Sequence, residues 1–149
     1  MIITEEHDKL LAELKEKIYP WRKLLIAVDG ITGVGKSGLS RYLAWKLDMP
    51  SIETDMYRIA SDTQPSYRLD ELNGVIQARY ELDRPVIVEG IFLLDTLKKL
   101  SLEHDYIIYV RNSKADCGFA LRESLPKYQE EYSPEDKADY VFCTDFKNN

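Results

Sequence analysis

Cysteine is almost missing from this chain. Cys117 and Cys143 are the only two, without the paired spacing of a zinc ribbon or the density of a disulfide-stapled scaffold. Histidine is as scarce, with two in 149 residues, and the two are not clustered. No apolar run approaches the ~18 residues of a membrane-spanning helix, and the opening MIITEEHDKL has neither the basic start nor the apolar core of a secretory signal. Positive charge is in deficit: 20 Lys and Arg against 26 Asp and Glu leave a net charge of −6. No general field therefore draws in DNA, RNA or an anionic membrane. Any bound anion needs a local site. These absences predict a cytoplasmic protein with two free thiols and with neither nucleic acid nor membrane as partner.

What is present is a chain long enough for a core. At about this length, folding buries roughly 68 to 70% of the unfolded chain's surface. Residues 4–18 carry an amphipathic stripe, Leu10, Leu11, Leu14 and Ile18, with Glu5/Lys9 and Glu13/Lys17 at i, i+4. Pro20 ends it, and the polar face suggests no chemistry. Beyond it the pattern turns to short apolar runs: LLIAV (24–28), PVIVE (85–89) and YIIYV (106–110), with SIET (51–54) and ADYVF (138–142) as further strands. Helical stripes lie between them, through Leu39, Tyr42, Leu43 and Leu47, through Leu69, Leu72, Val75, Ile76 and Tyr80, and over 91–100. Alternating strands and helices predict an α/β fold with a parallel sheet, whose ligands sit at the carboxyl ends of the strands. No repeat, linker or low-complexity tract divides residues 1–149, so one domain is expected, with residues 1–20 packed on it as a helix.

VDGITGVGKSGLSRYL (28–43) places Gly30, Gly35, Lys36 and Ser37 at the spacing G-x-x-x-x-G-K-S, after a buried strand and at the start of a helix. That is the context a phosphate-binding loop, the Walker A motif, requires. Its backbone N–H groups and the helix N-terminus favour phosphate oxygens, the lysine neutralises the β- and γ-phosphates, and the serine hydroxyl serves Mg²⁺. Residues 30–38, namely Gly30, Ile31, Thr32, Gly33, Val34, Gly35, Lys36, Ser37 and Gly38, are the expected nucleotide-binding set. The alternative is a glycine-rich turn with an exposed lysine. A Mg²⁺ site usually also draws on a carboxylate at the end of a neighbouring strand. Glu89, ending PVIVE, meets that need, unless it is a partly exposed strand-end glutamate. Asp29 is a second candidate for water-mediated metal contact, or else hydrogen-bonds the loop backbone and shapes it.

Four pieces together resemble the uridine kinase-like branch of the P-loop kinases, with the relatives of phosphoribulokinase and pantothenate kinase: AVDGITGVGKS, ETDMYR (53–58), VIVEGIFLL (86–94) and YSPEDKADYVF (132–142). The resemblance spans about residues 22–142, and only the glycine loop is specific. It implies a three-layer P-loop NTPase fold with a mostly five-stranded parallel sheet flanked by helices. It also implies that Asp55 is the base towards the acceptor hydroxyl, that Glu89 is an acid near metal and acceptor, and that Pro134, Ala138 and Asp139 lead the last strand past the nucleobase of the nucleotide. Met56 stands where the family has an aromatic residue, and Tyr57 is retained. Tyr57 and Arg58 are candidates to line the acceptor pocket, or simply to pack and solvate. Asp55 has a second reading as an Asx-turn or cap.

The family's lid, with arginines that close on the transferring phosphate, matches residues 111–133, where Arg122 is expected mid-helix. A surface arginine on an amphipathic helix is the other reading. The expected activity is ATP- and Mg²⁺-dependent phosphoryl transfer to a hydroxyl of a small metabolite, with a nucleoside-like compound among the acceptors and the protein a monomer or homodimer. The alternative is a nucleotide-binding regulatory module with little or no kinase activity, motivated by the sparse arginines and by the short stretch between Asp55 and Glu89. A nucleic-acid-acting ATPase is disfavoured by charge and by the lack of a basic aromatic groove.

Overall fold

The computed structural model describes residues 2–60 and 65–145. Its elements run in the order α1 (Glu5–Ile18), β1 (Leu25–Asp29), α2 (Lys36–Leu47), β2 (Ser51–Glu53), a 3₁₀ turn (Thr54–Tyr57), α3 (Leu69–Glu81), β3 (Val86–Glu89), α4 (Leu93–Lys99), β4 (Tyr106–Arg111), a second 3₁₀ turn (Phe119–Leu121), α5 (Ser124–Tyr132) and β5 (Tyr140–Cys143). The five strands form one sheet in the order β2-β3-β1-β4-β5, and every pairing is parallel. From β1 the chain winds one way to β2 and β3, then crosses to β4 and β5 on the other side. The carboxyl ends of β1 and its neighbours therefore open on the crevice where such sheets bind ligands.

The strands are apolar throughout because both faces are covered. In β1, Ile26 and Val28 join one buried cluster with Leu10, Leu14, Leu39, Leu43 and Phe142, while Leu25 and Ala27 join the opposite one with Leu72, Ile76, Leu93 and Leu97. Alternation along a pleated strand sends successive side chains to opposite faces. Helices α1 and α2 thus cover one face and α3, α4 and α5 the other. Each fully buried Leu, Ile or Val contributes about 1.5 to 3 kcal/mol relative to exposure.

Helix α1 buries the expected stripe of Leu10, Leu11, Leu14 and Ile18. Its polar face does more than solvate. Glu13 accepts a hydrogen bond from the Tyr106 hydroxyl at 2.5 Å, and Glu6 one from Tyr140 at 2.5 Å, so the helix is tied to β4 and β5.

Of the boundaries that differ from the sequence pattern, three concern candidate site or motif residues. Strand β2 stops at Glu53, because Thr54 begins the 3₁₀ turn that carries Asp55. Strand β5 starts at Tyr140, since Asp139 is engaged as an acceptor for the Ile107 N–H at 2.8 Å. Arg122 is not mid-helix: it caps the second 3₁₀ turn, and α5 begins at Ser124. Pro126 explains this, because a residue without an N–H is tolerated only in a helix's first turn. The helix cannot extend back through Arg122.

Candidate functional site

The loop between β1 and α2 is shaped by two glycines with different duties. Gly35 stands at the head of α2 with φ +98°, in the left-handed region where a side chain is strained. At Gly30 a Cβ would collide with the Val110 carbonyl oxygen of the neighbouring strand. Helix α2 then starts without a side-chain cap and without an acidic residue in its first turn. Its N-terminal N–H groups and dipole are thus left to an anion.

Lys36 is buried, 8% exposed, and its Nζ donates to the Ile31 carbonyl at 2.8 Å. Burial lowers its pKa, against the opposing pull of Glu89, Asp29 and Asp55. Ser37 donates through Oγ to Glu89 Oε1 at 2.7 Å. Glu89 is 3% exposed, and burial raises its pKa while the Ser37 hydrogen bond and the Lys36 charge pull it back. It is poised by register: β3 runs beside β1 with Glu89 opposite Val28. Gly90 must follow, because a Cβ there would drive into the Thr54 hydroxyl.

A cavity of about 380 Å³ opens at this point, lined by Thr32, Gly33, Gly35, Lys36, Ser37, Gly38, Asp55, Arg58, Glu89, Gly90 and Ile91. Strand β2 ends two residues before Asp55, and the 3₁₀ turn carries that carboxylate to the cavity beside the β1–α2 loop. Arg41 of α2 clasps Glu53 with two hydrogen bonds, at 2.6 and 2.8 Å, and anchors the base of the turn. Arg58 and Tyr67 form an isolated antiparallel bridge, with Arg68 N–H donating to the Tyr57 carbonyl at 2.8 Å. The turn that carries Asp55 is thereby pinned at both ends.

Not every residue singled out from the sequence lines that cavity. Gly30 and Ile31 border a smaller one beside it, and Val34 is packed into the core, its carbonyl accepting the Thr144 hydroxyl at 2.8 Å. Tyr57 packs against the cluster of α3 and α4 rather than lining that cavity. Arg122 stands apart: its side chain is 62% exposed, and its nearest carboxylate is Asp116 at 3.7 Å. Among the described residues no group of three His, Cys, Asp or Glu side chains forms a ready metal cage. None of the described helices is long and apolar enough to cross a membrane.

Asp29 takes the shaping role left open for it. It is 1% exposed, accepts the Gly30 N–H through Oδ1 at 2.7 Å, and accepts the Tyr128 hydroxyl through Oδ2. Burial pushes its carboxyl up to about 6, with the hydrogen bonds from Tyr128 and Gly30 and the charge of Lys36 acting the other way. Nothing in the sequence marks Tyr128, which falls in an ordinary helical stripe with Leu125 and Tyr132. Thr54 and Tyr67 were equally silent. Both hydroxyls are buried near Asp55 and Glu89 without a hydrogen-bond partner of good geometry.

Among solved structures the chain is similar to a possible uridine kinase from Bacillus stearothermophilus, with a TM-score of 0.66 at 16% identity, over 93% of this chain and 97% of that one. It is also similar to a putative fructose transport system kinase from Silicibacter sp. TM1040, with a TM-score of 0.54 at 17% identity, over 89% and 84% of the two chains. The fold is that of the P-loop small-molecule kinases, with a parallel 2-3-1-4-5 sheet and flanking helices. No family model matches the sequence, and no curated protein matches it either.

Proposed function

We propose that this chain is an ATP- and Mg²⁺-dependent kinase that phosphorylates a hydroxyl of a small metabolite. The observation that carries the reading is the single cavity shared by Lys36, Ser37, Glu89 and Asp55. A nucleotide and its metal supply the phosphoryl group and the neutralising charge. The loop from Gly30 to Gly38 would hold the phosphates, with Lys36 leaving the Ile31 carbonyl for them. Ser37 and Glu89, already paired, offer a hydroxyl and a carboxylate of the oxygen type that Mg²⁺ prefers. Asp55 would take the proton as the acceptor oxygen bonds to the γ-phosphorus and the bond from that phosphorus to the β–γ bridging oxygen breaks, releasing ADP. Arg58, on the same wall, would orient the acceptor.

The test is acceptor-dependent ADP release over a panel that begins with uridine, other nucleosides and sugars; uridine leads because one similar structure is described as a possible uridine kinase. Lys36→Ala serves as the control. Turnover in the wild type that Lys36→Ala abolishes supports the reading, whereas a panel that never exceeds that control overturns it.

One observation favours a second reading, a nucleotide-binding regulatory module: Arg122 does not border the cavity. In that case ADP binds with a conformational change, and Asp55→Asn leaves the protein's function intact. Loss of phosphoryl transfer in Asp55→Asn with unchanged ATP affinity would remove this reading.

A further inference from the structure

Helix α5 reaches the buried end of the phosphate loop through one hydroxyl. Tyr128 donates to Asp29 Oδ2 and accepts the Leu94 N–H at 3.1 Å. Asp29 in turn accepts the Gly30 N–H at 2.7 Å. One buried pair thus joins the entrance of the phosphate loop to the corner that follows Glu89 and Gly90. The adjoining cavity, about 10 Å³ and bordered by Gly30, Ile91, Phe92 and Tyr128, has room for no more than about one water. Phe92 crosses this corner with φ +51°, a left-handed conformation that a bulky residue adopts only when its surroundings impose it. Its ring lies 4.9 Å from that of Tyr128, centroid to centroid.

An apolar pair would fill this space with less desolvation. What the carboxylate and the phenol add is direction, through hydrogen bonds to Gly30 and Leu94 whose angles fix those backbones. Burial and the neighbouring carboxylate hold the phenol protonated, so it stays a donor.

We infer that Tyr128 and Asp29 are positioning residues for phosphoryl transfer. They hold the phosphate loop and the Glu89 corner at one separation, and this is how the 111–133 segment serves the site, rather than through the charge of Arg122. The consequence for turnover rests on the kinase reading; the consequence for nucleotide affinity needs only that the loop binds phosphate.

The experiment compares wild type with Tyr128→Phe, which keeps the ring against Phe92 and removes only the hydroxyl. Calorimetry with Mg²⁺ and ADP, steady-state kinetics, and amide exchange over residues 30–38 and 90–94 are read together. The expected result is a folded variant whose ADP Kd rises roughly tenfold, the scale of a lost hydrogen bond to a charged group. Its kcat falls with little change in acceptor KM, and exchange accelerates in both segments at once. A variant that melts earlier yet binds ADP within twofold of wild type, with exchange unchanged in the two segments, would overturn the inference and leave Tyr128 a packing residue. If Tyr128→Phe does not fold, Asp29→Asn, of equal size and still able to accept from Gly30, is read by the same outcomes. Should no acceptor turn over while affinity and exchange respond as stated, the kinase reading fails, and Tyr128 and Asp29 stand as positioning residues for nucleotide binding alone. Should turnover be present and both readouts stay flat, the reverse holds.

Discussion

At the scale of single residues, the cavity concentrates groups whose chemistry can be separated by substitution. Lys36→Ala is expected to abolish turnover and weaken nucleotide binding, as its ammonium is buried among Asp29, Asp55 and Glu89. Asp55→Asn should lower kcat by about 10² to 10⁴, the usual range for a lost general base, with ATP affinity retained. Stopped-time ADP assays and calorimetry check both. Gly90→Ala is a test of packing: its methyl meets the Thr54 hydroxyl, and the overpacking should cost about 1 to 3 kcal/mol in urea unfolding. Removing the obstacle in the Thr54→Ala, Gly90→Ala double variant should recover most of that loss, which a double-mutant cycle measures.

Asp29 gives a pH prediction. Burial raises its carboxyl from an ordinary 3.8 to about 6. The folded state therefore favours the protonated form, and the stability linked to that proton is complete below about pH 4 and lost as pH climbs through 6. Asparagine does not titrate. The melting temperature of wild type minus that of Asp29→Asn should accordingly fall from pH 4 to pH 7, and a value that rises over that window would contradict the assignment.

At the scale of elements, the helices and strands were the most readable features of the sequence. LLIAV, PVIVE and YIIYV are apolar because their strands are covered on both faces, and the stripe of Leu10, Leu11, Leu14 and Ile18 marks the face that α1 buries. The turn from β1 into α2 was equally legible, since its glycine spacing is local: the strand ends at Asp29 and the helix starts at Lys36, on either side of it. What escaped was whatever depends on chain segments meeting. Asp29 and Tyr128 lie 99 positions apart, and no local signal links them. Arg122 was misplaced because the helical periodicity of its segment outweighed the stop that Pro126 imposes on α5. Leu14→Ala tests the packing of α1: this side chain is fully buried, and its truncation should cost about 2 to 5 kcal/mol in denaturant unfolding.

At the scale of the whole molecule, two apolar clusters on opposite faces of one sheet carry the fold, while none of the side chains lining the candidate cavity at the strand ends belongs to either. Asp55→Asn, on the wall of that cavity, should therefore change turnover without moving the melting transition. The sheet also has two borders. Strand β2 has three residues and β5 has four, so each border presents only a short row of unpaired backbone groups. Brief edges are a poor template for another chain to add a strand. Copies of this protein are thus discouraged from growing a shared sheet, and any self-association would have to be built from side-chain surfaces on the helices instead.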